Sequence, residues 1–102
     1  MVGASTAILK RFKKRVTQQF PDAKILLFGS RARGDALHSS DYDILVVSSY
    51  FSGHPIRDME ALYMLWDEDI HADILAYTPE KFAEWSNYIS IAGKAKKEGI
   101  LV

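Results

Sequence analysis

Apolar positions recur with a helical period at the start of the chain. Ile8, Phe12, Val16 and Phe20 lie four residues apart, Ser5 or Thr6 is available as a cap, and Pro21-Asp22 stops the pattern. The period then changes. Lys24 to Phe28 is a short apolar run closed by Gly29, the pattern of a buried strand, and Asp43 to Val47 is a second. Arg31 to Ser40, between them, is rich in Gly, Ser, Asp and Arg and reads as turn and loop. After the loop Ser48 to His54, Pro55 takes a favourable first helical position, with Ile56, Met59, Leu62, Tyr63 and Trp66 as the apolar stripe behind it. Ile70 to Tyr77 is a third strand. Thr78-Pro79-Glu80 combines a cap, a first-turn proline and a first-turn carboxylate, and predicts a helix. Its pattern runs to Lys97 with a break near Ser86-Asn87; Gly99 ends it, and Ile100-Leu101-Val102 is a short final strand. The predicted order is helix, strand, strand, helix, strand, helices, short strand. That is an α/β (α+β) chain with helices covering mainly one sheet face. Strand order and direction stay open, although the loop 31–40 is short enough to make the first two strands neighbours.

Composition narrows the class. At 102 residues, without repeats or a Pro/Gly-rich linker, residues 1–102 read as one domain. With 48% hydrophobic residues, the chain can form a core, which excludes a disordered linker. Thirteen Lys and Arg balance thirteen Asp and Glu, which argues against nucleic acid as a direct ligand. The absence of cysteine excludes disulfides, thiolate nucleophiles and cysteine-ligated zinc. No apolar run approaches the roughly 18 residues of a membrane span, and no secretory signal pattern opens the chain. The expectation is a cytoplasmic domain with no membrane partner.

Three acids carry the candidate chemistry. Asp41 and Asp43 stand at the head of an apolar strand, where alternation places residues two apart on one face, about 6.5–7 Å between α-carbons. Two such carboxylates repel, and a divalent cation between them removes the penalty; oxygen ligands favour magnesium or manganese. A polar turn running into a strand explains the same two residues. Asp73 lies mid-strand, where Asp is depleted. Either it is a solvated acid on an edge strand, or it faces the other two acids from a neighbouring strand. In the second case three carboxylates suit two metal ions roughly 3.5–4 Å apart, the arrangement for phosphoryl displacement. Gly29-Ser30, directly off the first strand, allows close backbone approach to phosphate and adds a hydroxyl donor, but it lacks the Lys and spacing of a Walker loop.

Taken together, Phe28-Gly29-Ser30-Arg31-Ala32-Arg33-Gly34-Asp35, then Ser40-Asp41-Tyr42-Asp43-Ile44-Leu45-Val46, then Asp73 before Thr78-Pro79-Glu80, resemble the DNA polymerase beta-like nucleotidyltransferase superfamily. The resemblance is to its minimal nucleotidyltransferases and covers nearly the whole chain. It implies a mixed sheet backed by helices. It also implies that Gly29 and Ser30 hold a nucleoside triphosphate, that Asp41 and Asp43 ligate magnesium, and that Asp73 completes the site and assists deprotonation of an acceptor hydroxyl. The implied reaction transfers AMP from ATP and releases pyrophosphate, with two Mg2+ ions or, alternatively, Mn2+. Of the loop arginines, Arg33 is favoured slightly over Arg31 as a phosphate contact, against a simple pairing with Asp35 or solvent.

The other polar residues have two readings each. His71 either lies at the rim of the site or is a half-buried polar residue; the positions of His38, His54 and His71 suggest no zinc site. The basic run Lys10 to Arg15 reads as a solvated helix face, or as a weak contact for an acidic partner. Trp66, Trp85 and Tyr88 fit a core or a subunit interface better than a base-stacking platform.

Relatives of this size leave the acceptor-binding surface to another chain or to self-association, and the resemblance implies a HEPN-domain toxin as partner. The leading expectation is an antitoxin that adenylylates a toxin tyrosine. A non-catalytic subunit acting by burial and a small-molecule transferase of the antibiotic-modifying kind are the alternatives.

Overall fold

A computed structural model describes residues 3–29, 41–85 and 99–102. Among these residues, three helices, α1 (Gly3–Gln19), α2 (Pro55–Leu65) and α3 (Pro79–Trp85), accompany four strands, β1 (Lys24–Phe28), β2 (Tyr42–Val47), β3 (Ala72–Tyr77) and β4 (Ile100–Leu101). They form one mixed sheet in the order β3-β2-β1-β4. β1 runs antiparallel to β2 and β4, and β2 runs parallel to β3. The parallel pair requires a crossover, which α2 supplies between β2 and β3.

Alternation sorts each strand onto two faces. Ile25 and Leu27, Tyr42, Ile44 and Val46, and Ala72, Ile74 and Ala76 pack under Leu9, Phe12, Val16 and Phe20 of α1 and Leu62 of α2. This is the main core; Phe12, Val16, Ile44 and Ile74 are fully buried. The other face carries Leu26, Phe28, Leu45, Val47, Leu75 and Tyr77, with Phe82 of α3 against it. Two helices thus seal one face, while the second holds a smaller cluster. On that second face the register stacks side chains in rows. Lys24, Val47 and Tyr77 form one row, Leu26, Leu45 and Leu75 the next, and Phe28, Asp43 and Asp73 the last. The rows change from apolar to acidic toward the end where β2 and β3 begin.

Several sequence expectations are corrected. α1 begins at Gly3, so Ser5 and Thr6 lie inside it and do not precede it. β2 starts one residue early, at Tyr42. β3 starts at Ala72 and not at Ile70. Ile70 belongs to the preceding turn, where its carbonyl accepts a 2.8 Å hydrogen bond from Trp66 Nε1. Trp66 caps the end of α2 and packs edge-on against Phe12 and Tyr42, with centroids 5.1 and 5.5 Å apart, so it is a core residue. Ile56, expected in the apolar stripe of α2, points outward and is 73% exposed. The helical pattern beyond Trp85, including Tyr88, lies outside the described residues.

The basic face of α1 is not simply solvated. Arg11 and Arg15, one turn apart, both bind Glu68: Arg11 Nε and Nη2 at 3.1 and 2.9 Å, Arg15 Nη2 at 3.2 Å. Arg15 Nε also donates to the Leu65 carbonyl at 2.7 Å, which secures the open end of α2. These guanidinium hydrogen bonds hold the Glu68 carboxyl below its ordinary value of 4.5, against the opposing effect of burial. A lowered folded-state pKa contributes stability that is present above the unfolded value and lost as pH falls through the folded one. Glu68→Gln should therefore melt several degrees below the native chain at pH 7. The gap should close as pH falls below about 4. Paired thermal melts across that range check this; a gap that persists at the acid end would assign it to packing instead.

Candidate active site

Gly29 ends β1 in the left-handed region, with φ +75°, a conformation that glycine adopts without strain. It is buried beside the β2 strand, and a Cβ at this position would collide with Asp43 Oδ2. The missing side chain is what makes room for the Asp43 carboxylate. Asp43, half-buried, is flanked by Phe28 of β1 on one side and Asp73 of β3 on the other. Asp73 is on the neighbouring strand, in register with Asp43 and on the same face; that strand is also an edge of the sheet, and the Asp73 side chain is exposed.

One residue before each strand, the chain adds Asp41 and His71. The Tyr42 amide donates to the His71 carbonyl at 3.1 Å, which extends the ladder to this level. Carboxylate oxygens of Asp41 and Asp73 and a ring nitrogen of His71 lie within 4.8 Å of one another. His71 Nε2 stands 3.3 Å from Asp73 Oδ1. All three residues are exposed. Asp43 is not one of this close trio; its carboxylate is turned onto Gly29.

A cavity of about 410 Å³ opens beside the acids, lined by Phe28, Gly29, Asp43, Met59, Tyr63, Asp73, Ile74 and Leu75. That is the size range of small-molecule sites. Tyr63 also supports the sheet. Its hydroxyl accepts the Ile74 amide at 2.9 Å, pairing a backbone group at the β3 edge.

A match to the nucleotidyltransferase domain family spans residues 9–98, nearly the whole chain and all of these acids. The chain belongs to that family. As a nucleotidyltransferase it is an enzyme of nucleotidyl transfer. The fold is similar to that of a Sulfolobus solfataricus protein assigned as a nucleotidyltransferase, whose crystal structure was solved at 1.40 Å. The TM-score is 0.66 at 24% identity, over 93% of this chain and 76% of that one. No curated protein matches the sequence.

The nucleotidyltransferase's donor set fits a divalent cation. Two carboxylates and an imidazole within 4.8 Å are close to the span that one ion bridges with bonds of roughly 2.1 Å, and exposed side chains can rotate to close the remainder. Ser30 and Arg33, expected at the nucleotide, lie outside the described residues, as does Arg31. The pattern of the sequence did not single out Met59 or Tyr63 as site residues, because both fell in the stripe read as core. No described helix is long and apolar enough to cross a membrane.

At the opposite end of the sheet, two acids organise the turns. Asp22 accepts from Ser48 Oγ at 2.5 Å, from the Ser49 amide at 3.0 Å and from Ser49 Oγ. These hydrogen bonds lower its pKa. Buried Asp58 accepts from the Ser52 amide and hydroxyl and from the Gly53 amide, at 2.9–3.1 Å. Both hold the loop that leads into α2. The sequence marks Asp22 only as part of a helix stop, and nothing in the spacing marks Asp58.

Proposed function

We propose that this nucleotidyltransferase transfers AMP from ATP to an acceptor hydroxyl, with pyrophosphate as leaving group. The observation that carries the reading is the register of β2 on β3, which sets Asp43 beside Asp73 at the end of the second sheet face, next to Gly29 and the cavity. Gly29, with Ser30 and Arg33 following it, holds the triphosphate. Asp41, Asp43 and Asp73 hold Mg2+, or Mn2+, which when bound neutralises the charge developing on the phosphoryl oxygens. Asp73, the most open of the paired acids, takes the proton of the attacking hydroxyl. The hydroxyl oxygen bonds to the α-phosphorus as the bond to the pyrophosphate oxygen breaks.

The acceptor in this reading is a tyrosine of a HEPN-domain toxin, and the outcome is neutralisation of that toxin. The likeness of the Gly29-Ser30 and Asp41-Tyr42-Asp43 motifs to minimal nucleotidyltransferases supports it. So does the outward apolar stretch of α2, where Ile56 and Met64 are 73% and 87% exposed, which suits a partner surface.

Two measurements test the reading. Mg2+ with ATP should stabilise the chain by about 2.7 kcal/mol at a hundred times the dissociation constant, which is on the order of 10 °C in melting temperature for this size. No shift at millimolar nucleotide would overturn the ATP site. Mass spectrometry of the partner co-purified with the chain should find AMP on tyrosine. A tight complex whose partner carries no AMP would favour a binding-only antitoxin. Labelling of a small molecule by the chain alone would favour the antibiotic-type transferase.

A further inference from the structure

His71 and Asp41 occupy equivalent places, each one residue ahead of a strand of the parallel pair, and the register brings them to one level. A ring nitrogen of His71 and a carboxylate oxygen from each of Asp41 and Asp73 fall within 4.8 Å of one another. The His71 to Asp73 contact is 3.3 Å, long for a hydrogen bond to a carboxylate. Both side chains are 64% exposed, so packing does not hold the imidazole in place. It stands at the open end of the sheet, at the spacing of a ligand.

We infer that His71 is a ligand of the metal centre and that its nitrogen makes the centre prefer Mn2+ to Mg2+. The inference rests on the reading of Asp41, Asp43 and Asp73 as metal-binding. Two physical arguments carry it. Mg2+ takes oxygen donors and sheds its waters reluctantly. Imidazole suits the transition ions, most strongly the later ones, and Mn2+ is the transition ion that shares the carboxylate preference of Mg2+, so between these two ions a nitrogen donor favours Mn2+. An uncharged donor also completes the ligand set without adding another negative charge to acids that already repel one another.

The test uses the full chain with Mn2+ alone, without nucleotide, read by electron paramagnetic resonance. The native chain should bind Mn2+, show nitrogen hyperfine coupling from a directly bound imidazole, and release the ion only to a large excess of Mg2+. His71→Ala should fold normally, because the side chain is exposed. It should lose the nitrogen coupling and bind Mn2+ at least roughly tenfold more weakly, the loss seen on removing even an outer partner of a ligand. Mg2+ should then displace Mn2+ more readily. Mn2+ bound without nitrogen coupling, or His71→Ala indistinguishable from the native chain, would overturn the inference. If Asp41→Asn and Asp73→Asn abolish binding while His71→Ala binds Mn2+ as tightly as the native chain, the carboxylate site stands and the role of His71 falls. Absence of Mn2+ binding to the native chain at millimolar concentration would overturn both.

Discussion

Asp43→Asn and Asp73→Asn should each lower nucleotidyl transfer roughly a hundred- to ten-thousand-fold, the range for loss of a general base or of a charge-stabilising group. Neither should unfold the chain. Both residues lie in the last row of the second face, where Asp43 is half-buried and Asp73 exposed, and neither is a member of the smaller apolar cluster of Phe28, Leu45 and Val47. Asparagine keeps the volume and much of the hydrogen-bonding capacity, so the melting temperature without metal should stay close to native. What it removes is the charge that attracts a cation, and at Asp73 also the proton acceptor. The two variants should differ in kind. Asp43→Asn should weaken metal-dependent ATP binding, whereas Asp73→Asn should reduce turnover more than affinity. Asp22→Asn supplies the converse control, since Asp22 sits at the far end of the sheet and anchors Ser48 and Ser49. It should lower the melting temperature and leave transfer unchanged. Pyrophosphate release and AMP incorporation, measured beside thermal melts, separate these outcomes. Near-native transfer by either of the first two variants would make the acids structural and end the proposed mechanism.

The elements were largely legible because their signals are local. β1 was readable to the residue from the run Lys24 to Phe28, and α2 and α3 from Pro55 and from Thr78-Pro79-Glu80. The start of β3 was misplaced because Ile70 and His71 continue its apolar alternation. The Trp66 side chain, reaching across the turn, takes up the Ile70 carbonyl, and it is the His71 carbonyl that first meets β2, through the Tyr42 amide. Pairing is the larger gap. Alternation puts Asp41 and Asp43 on one face and His71 and Asp73 on one face, but it does not say that those faces are shared. That follows from the parallel crossover, a long-range choice made by the burial of Leu62 and its neighbours. For the same reason Glu68 was invisible as the partner of Arg11 and Arg15. Their spacing marks one helix face, while the acid that meets it lies more than fifty residues on. Gly29 was legible as a candidate through its motif. Its physical role, making space for Asp43, needed the packing.

That role yields the second large effect. Gly29→Ala should destabilise the chain and abolish transfer together, and a second glycine separates the causes. Gly53 also has a positive φ, +90°, but nothing lies within 4 Å of a Cβ placed there. Its amide hydrogen bond to Asp58 survives substitution by alanine. Gly53→Ala therefore measures backbone strain alone, about 1–2 kcal/mol, and should leave transfer intact. Gly29→Ala carries the same strain and in addition drives a methyl group into Asp43 Oδ2, so the carboxylate must swing away, and it approaches Asp43 Cγ and Cβ to 3.1 and 3.3 Å, which the side chain cannot relieve by rotating its carboxylate alone. Its loss should exceed that of Gly53→Ala by roughly 1–3 kcal/mol, the range for overpacking. The Asp43 carboxylate would be displaced from its place beside Asp73. Adding Asp43→Ala to Gly29→Ala should recover part of the stability, a coupling expected only of residues in contact, and none of the transfer. Denaturant melts of the two single variants, the double variant and Asp43→Ala supply the cycle. If Gly29→Ala costs no more than Gly53→Ala and still transfers AMP, Gly29 does not set the position of the Asp43 carboxylate, and the geometry proposed for the site is wrong at its centre.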